Sequence, residues 1–267
     1  MRNDNGGRIG QGQGDDAYYD EIMTVTHDHI LGGALSLTQA ETGYRAGLDA
    51  ALLAAACDAH AGMRVLEAGC GVGGALLAAA HRCPQARFVG IERDPDALAL
   101  AQANIADNAL HDRVKATLGD VATPFSRLGE LPFDAVLANP PFFDDAGALR
   151  GPAAAKRGAW IADDGWPVWA AFLLKAVREG GTITVIHRAD RLADILATLA
   201  PKAGSFRIRP VHPFADSPAK RILVRATKTG KAPLILAPPL VLHERGGGKH
   251  TEEVEAILRG EAGLAWL

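Results

Sequence analysis

Residues 64–84 carry the pattern that most limits what this chain can become. Arg64 to Ala68 (RVLEA) is an apolar run of strand length, Gly69-Cys70-Gly71-Val72-Gly73-Gly74 cannot extend it, and Ala75 to Arg82 recurs at helical spacing before Pro84. A strand that turns through glycines into a helix is half of a strand–helix–strand unit, whose next strand runs parallel to the first. The unit recurs. Arg87 to Glu92 is a second strand, and Asp94-Pro95-Asp96 then opens a helix with an Asp cap, proline at the first helical position and a second acid in the first turn. Val114 to Leu118, Phe133 to Ala138 (FDAVLA) and Thr182 to His187 read as further strands, with helices from Trp166 to Arg178 and from Arg191 to Leu199. This alternation predicts an α/β fold, a mostly parallel sheet with helices on both faces.

The flanks differ. Ile22 to Thr26 and Ala34 to Thr38 alternate like two short strands around Leu31-Gly32-Gly33, and Gly47 to His60 has helical spacing. Phe206 to Val211 and Arg221 to Thr227 have no helix between them, which predicts an antiparallel pair at the sheet edge. Leu234 to Leu242 contains Pro238-Pro239 and is at most an edge strand, and Thr251 caps a last helix that stops at Gly260. Residues 1–20, rich in Gly, Asn, Gln and Asp, read as a flexible tail. Residues 21–230 then form the main domain and 231–267 a C-terminal extension.

The 267 residues can bury a substantial core, and a net charge of -3 excludes a globally basic nucleic-acid binder. No apolar run approaches the roughly 20 residues that span a bilayer, and the first residues have no apolar signal core, so a cytoplasmic location is expected. Cys57, Cys70 and Cys83 form no Cys-x-x-Cys pair and read as buried, reduced thiols. His27 and His29 would point to opposite faces of a strand with no partner cluster, so no metal site is expected.

Gly69, Gly71 and Gly74 satisfy G-x-G-x-x-G, and Glu92 follows where a ribose acceptor would stand, so a nicotinamide-dependent oxidoreductase is one reading. Three features favour S-adenosylmethionine instead. Glu67 stands two residues before Gly69, where a carboxylate suits an ammonium group and repels a pyrophosphate. Asp120 follows the third strand, placed to accept from an adenine amino group. Asn139-Pro140-Pro141-Phe142 ends the fourth strand, where ligands bind in open α/β sheets. An Asn oxygen and a prolyl carbonyl are pure acceptors that can take the two hydrogens of a planar amine, and Phe142 offers a face for stacking a base. Adenine N6, guanine N2 and a glutamine amide all satisfy that pair.

These residues resemble the Rossmann-like class I S-adenosylmethionine-dependent methyltransferases, specifically the "small" methyltransferase group with its Asn-Pro-Pro-aromatic signature. With Leu31-Gly32-Gly33, Gly43-Tyr44-Arg45-Ala46-Gly47-Leu48-Asp49 and Ala138-Asn139-Pro140-Pro141-Phe142-Phe143, the chain looks most like bacterial enzymes that methylate adenine N6 in a valine tRNA. Leu48 departs from the family, which carries a hydroxyl residue there. The resemblance covers roughly Met23 to Ala226 and implies a seven-stranded sheet with an antiparallel edge hairpin. It implies cofactor contacts from Tyr44, Arg45, Glu67, Gly69, Gly71, Gly73, Glu92, Arg93, Asp120, Val121 and Asn139, and catalytic roles for Asn139, Pro140 and Phe142.

An RNA partner needs cations. From Lys202 to Lys231, Lys202, Arg207, Arg209, Lys220, Arg221, Arg225, Lys228 and Lys231 stand against Asp216 alone, a stripe that suits phosphate contact. The irregular stretch Asp144 to Trp169 interleaves Arg150, Lys156 and Arg157 with Trp160, Trp166 and Trp169, a candidate lid or base-stacking element, although Trp169 fits a helix core.

Overall fold

The computed structural model describes residues 24–42, 45–141 and 165–266. The N-terminal hairpin pairs β1 (Val25–Ile30) with β2 (Leu35–Ala40), the turn between them being a short 3-10 segment, Leu31–Gly33. The expected pair is present, shifted by a few residues. Helix α1 (Leu48–Ala55) leads into β3 (Arg64–Ala68), α2 (Gly74–Arg82), β4 (Arg87–Glu92), α3 (Pro95–Asp107), β5 (Val114–Leu118) and β6 (Phe133–Ala138). After the loop come α4 (Trp166–Ala176), β7 (Val177–Arg188), α5 (Leu192–Leu199), β8 (Ala203–His212) and β9 (Arg221–Lys228). The chain closes with β10 (Ile235–Leu236), β11 (Leu240–Val241) and α6 (Glu252–Leu258).

The seven strands β3 to β9 form one sheet in the order β8-β9-β7-β6-β3-β4-β5, parallel except for β9. Two short strands extend it. Pro238-Pro239 splits the run Leu234 to Leu242, so β10 and β11 each pair separately, in parallel, with β8, and the β8–β9 pair is not outermost. The two faces carry separate cores. One holds α1, α2, α3 and α6 with β2, built on Leu52, Leu53, Leu76, Leu77, Ile105 and Ile257; the other holds α4 and α5, built on Phe172, Leu173, Ile195 and Leu199.

Boundaries move where distant groups intervene. Helix α1 stops at Ala55 rather than reaching His60, because Leu264 N–H donates to the Ala55 carbonyl (2.8 Å) and Trp266 Nε1–H to the Ala56 carbonyl (2.8 Å). Helix α4 ends at Ala176 and not Arg178, because Val177 already pairs with Phe133 of β6; a bulge then absorbs Arg178 to Gly181 before pairing resumes at Thr182. The C-terminal extension is bound into the main domain. Arg82 donates to the carbonyls of Ala262 (2.7 Å) and Ile257, and Arg207 to that of Trp266 (2.9 Å).

Candidate cofactor and active site

The chain runs β3, β4, β5 outward in one direction and then crosses back to place β6 on the other side of β3. That reversal opens a crevice at the carboxyl ends of β3 and β6, where open α/β sheets bind ligands. Ala68 pairs with Ala138, so Gly69 and Asn139 leave adjacent strands at the same level.

Gly69, Gly71 and Gly73 have φ of +68°, +54° and +91°, a left-handed region that disfavours side chains. Gly69 has a second reason: a Cβ there would lie 2.6 Å from the Trp169 ring, which packs beneath the turn. The loop thus presents backbone, not side chains, to the crevice. Its other flank is fixed by Asn104 of α3, which is fully buried and donates from Nδ2 to the carbonyls of Val72 (2.9 Å) and Thr38 (2.9 Å) while accepting from Thr38 N–H (2.7 Å). One amide therefore ties the glycine loop to the hairpin. Nothing local in the sequence signals it, since its partners lie 32 and 66 residues away.

Glu67 sits at the floor, 3% exposed, with Oε2 lacking any hydrogen-bond partner among the described residues. Burial, with the nearby Glu92 charge, pushes its carboxyl well above the ordinary value, against a hydrogen bond from Leu76 N–H. Glu92 ends β4 and gathers three backbone donors, Gly71 N–H (2.9 Å) on Oε2 and those of Arg93 (2.8 Å) and Asp94 (2.9 Å) on Oε1. Oε2 keeps acceptor capacity. Asp120 follows β5 and is steadied by Ala122 N–H on Oδ1 (2.9 Å); Val121 packs partly buried beside it. Asn139 is half-buried and Pro140 buried.

Glu67, the three glycines, Glu92, Asp120, Val121 and Asn139 are therefore distributed along one edge. Arg93 joins them through its backbone, its side chain being exposed. Arg45 belongs to another set: it donates to Asp28 (2.6 Å), Thr26 (2.8 Å) and the Ala40 carbonyl (3.1 Å), securing the hairpin. Gln39, Thr26 and Arg45 together hold the Asp28 carboxyl below its usual value. Tyr44 and Phe142 lie outside the described residues, as does 144–164 with Arg150, Lys156, Arg157 and Trp160. Trp166 and Trp169 are buried in α4, so they are core and not a base-stacking surface.

The basic stripe is largely structural. Arg209 meets Glu253 (3.5 Å), Arg221 meets Asp49 (2.9 Å), Arg225 pairs with Asp58 and Lys228 with Glu179 (3.2 Å), while Arg207 holds the Trp266 carbonyl. Four of the eight cations are thus paired with acids from distant segments. Because Arg221 aligns with Arg188 and Lys228 with Ala203, Lys202, Lys228 and Lys231 stand at the sheet's other edge, away from Asn139. Lys220 stands at the Asn139 edge.

An orphaned buried carboxylate oxygen, a bare backbone loop and two further acids fit a ligand with a cationic group and several donors. They fit a pyrophosphate poorly. Among the described residues no group of three His, Cys, Asp or Glu could hold a metal, and no helix is long and apolar enough to cross a membrane.

Comparison with known proteins agrees with this geometry. A tRNA1(Val) (adenine(37)-N6)-methyltransferase of Porphyromonas gingivalis is 39% identical over 113 residues, covering 40% of this chain and 44% of that protein. A release factor glutamine methyltransferase of Moorella thermoacetica is 31% identical over 156 residues, 56% of this chain and 54% of that protein. The chain thus spans about half the length of the curated relatives it matches. A solved structure titled as a predicted O-methyltransferase of Agrobacterium tumefaciens superimposes with a TM-score of 0.67 at 27% identity, over 81% of this chain and 98% of that one. The fold is Rossmann-like, and residues 45–154, from Arg45 through the glycine loop to Asn139-Pro140-Pro141 and beyond, match the Methyltransferase small domain.

Proposed function

We propose that the protein transfers a methyl group from S-adenosylmethionine to an exocyclic ring amine, adenine N6 of a tRNA. The observation that carries the reading is Asn139-Pro140-Pro141 leaving β6 one strand from the glycine loop, at the level of Gly69. Relatives named for adenine-N6 and glutamine methylation, and a solved guanosine-N2 methyltransferase of the same fold, support amine chemistry.

S-adenosylmethionine, when bound, supplies a methyl on a positively charged sulfur. Glu67 would take its ammonium group, which favours the ionised carboxylate that burial disfavours. Glu92 would accept from ribose hydroxyls and Asp120 from the adenine amino group, with Val121 and Arg93 flanking that ring. The loop of Gly69, Gly71 and Gly73 lets backbone approach where a side chain would collide.

The acceptor amine is a poor nucleophile because its lone pair is delocalised into the ring. Asn139 Oδ1 and the Pro140 carbonyl would each accept one N–H, turning the lone pair toward the methyl donor, and the buried, rigid prolyl unit keeps that geometry. Phe142 would stack the base. Because the donor would carry its methyl on a sulfur that departs neutral, these residues would need only to orient the amine, whose proton would pass to water after transfer, and no side-chain base is required.

The RNA partner is read from the names of the relatives, and a cytoplasmic location is proposed with it. Lys220 remains a candidate phosphate contact from the basic stripe, and 144–164 a candidate second contact. The test is transfer of radiolabel from S-adenosylmethionine to bulk tRNA, followed by nucleoside digestion. Label in N6-methyladenosine is expected; label in N2-methylguanosine, or only in protein as methylglutamine, replaces the acceptor assignment.

A further inference from the structure

Besides Lys220 and the Asp49-paired Arg221, the loop after β11 brings basic residues to the active edge. Its sequence, His243-Glu244-Arg245-Gly246-Gly247-Gly248-Lys249-His250, sets two cations around three glycines between two histidines. Val241 pairs with His212, and β8 is parallel to β7, so this loop emerges at the same sheet edge as Asn139. β11 lies on the far side of β8 from β9, four strands from β6, roughly 19 Å at the usual strand spacing.

The loop is built before any ligand arrives. Thr251 N–H closes it onto the Leu242 carbonyl (3.0 Å), His243 N–H binds the Pro213 carbonyl (2.9 Å), and His243 Nδ1 contacts the Lys249 carbonyl. The rings of Phe214 and His243 lie 5.6 Å apart, and His243 stacks on His250 at 5.1 Å and 23°. Arg245 covers the Phe214 ring at 4.7 Å. An open cleft of about 440 Å³ is lined by Phe214, His243, Glu244, Arg245 and Lys249. Arg245 also pairs with Asp216 (3.1 Å), both roughly two-thirds exposed, so the pair contributes little and is readily exchanged for a phosphate.

We propose that this cleft is a second nucleotide subsite, taking one unpaired nucleotide of the RNA substrate a few positions along the strand from the methylated base. Arg245 and Lys249 hold the phosphodiester, and Phe214 and His243 present rings to the base. Cation and aromatic together are the pairing by which single strands are held without sequence readout. Glu244 and Asp216 oppose the phosphate, so recognition depends on both cations acting together.

This rests on the RNA reading above, and the experiment separates the two. Methyl transfer to bulk tRNA is measured with wild type, the Arg245→Ala/Lys249→Ala double variant, Phe214→Ala and the charge-keeping Arg245→Lys/Lys249→Arg. We expect the double alanine variant and Phe214→Ala to raise KM for tRNA about tenfold with kcat and cofactor binding unchanged. The double alanine variant should also flatten the dependence of log affinity on log salt by about 1–2, and the charge-keeping variant should restore it. Unchanged KM and salt slope in variants of an active enzyme overturn the subsite alone. A wild type that labels no RNA overturns the reading beneath it as well.

Discussion

Two regions of this sheet bury charge, and they do so in opposite ways. On β3, Glu67 lies under the glycine loop with one oxygen that no described group reaches. On β8 and β9, Arg209 and Arg225 are also buried, and although the Nε of each lacks a partner among the described residues, their terminal nitrogens meet Glu253 and Asp58 from distant segments. Burying an unpaired ion is expensive, so folding alone would not retain Glu67 in that form. Paired buried charge serves structure here, and the unpartnered carboxylate oxygen is the feature on which the proposed ammonium contact rests.

The largest expected effect is on the ligand side. Asn139→Ala should lower kcat by about 10²–10³, the scale of losing one positioned hydrogen-bond partner at a reacting centre, with S-adenosylhomocysteine affinity nearly unchanged. Normal kcat with lost cofactor affinity would reverse its role. Glu67→Gln comes next. Losing a charge-assisted contact should weaken S-adenosylmethionine about 10–100-fold, while removing the buried carboxylate should raise the melting temperature of the ligand-free protein. A variant that binds normally would dissolve the contrast between the two regions.

The same carboxyl gives a sign to pH. Its folded pKa is raised, so stability of the ligand-free protein falls as pH climbs from the ordinary carboxyl value toward the raised one, and Glu67→Gln should lack that fall. A cationic ligand favours the ionised form, so binding in that window should release a proton, measurable by calorimetry in buffers of different ionisation enthalpy.

His187 shows a third way to bury a titratable group, by remaining neutral. At the end of β7 beside Trp166, burial holds it down to about 4 from an ordinary 6.5. The unfolded chain takes up this proton first, so stability is lost as pH falls through that window. About 2 kcal/mol should go between pH 7 and 5 in denaturant titrations, and His187→Asn should abolish the loss. The smallest effect belongs to the paired region: Asp58→Ala should destabilise by about 1–2 kcal/mol, because Arg225 stays buried while Asp58 was itself 60% exposed, and methyl transfer should persist. Loss of transfer without loss of stability would move Arg225 into the site.

Local patterns were legible and remote pairings were not. β3, β4, β5 and β6 begin and end at the residues their apolar runs predict, and Asp94 caps α3 by accepting from Asp96 and Ala97. Glu67, Gly69, Glu92 and Asp120 reach one edge because each ends or follows a parallel strand, a consequence of alternation alone. Asn104 could not be read, since an asparagine inside a helix pattern looks like any other polar position until Thr38 and Val72 are folded against it. The stripe from Lys202 to Lys231 misled for the same reason: its counter-charges Asp49, Asp58 and Glu253 lie far outside the window in which charge was summed.

The stitching of the last residues onto the first helices also has a consequence in time. Arg82 waits for carbonyls 175 and 180 residues further on, and the Ala56 carbonyl for a tryptophan 210 residues later. At about 5–20 residues per second, the end of α1 stands uncapped and Arg82 lacks these acceptors for roughly 10–40 seconds of synthesis. The glycine loop over β3, held by Glu92 of β4, is thus shaped early by short-range contacts, but the layer behind it is locked only when residues 257–266 arrive. A nascent or truncated copy would offer a recognisable cofactor loop on an unfinished back.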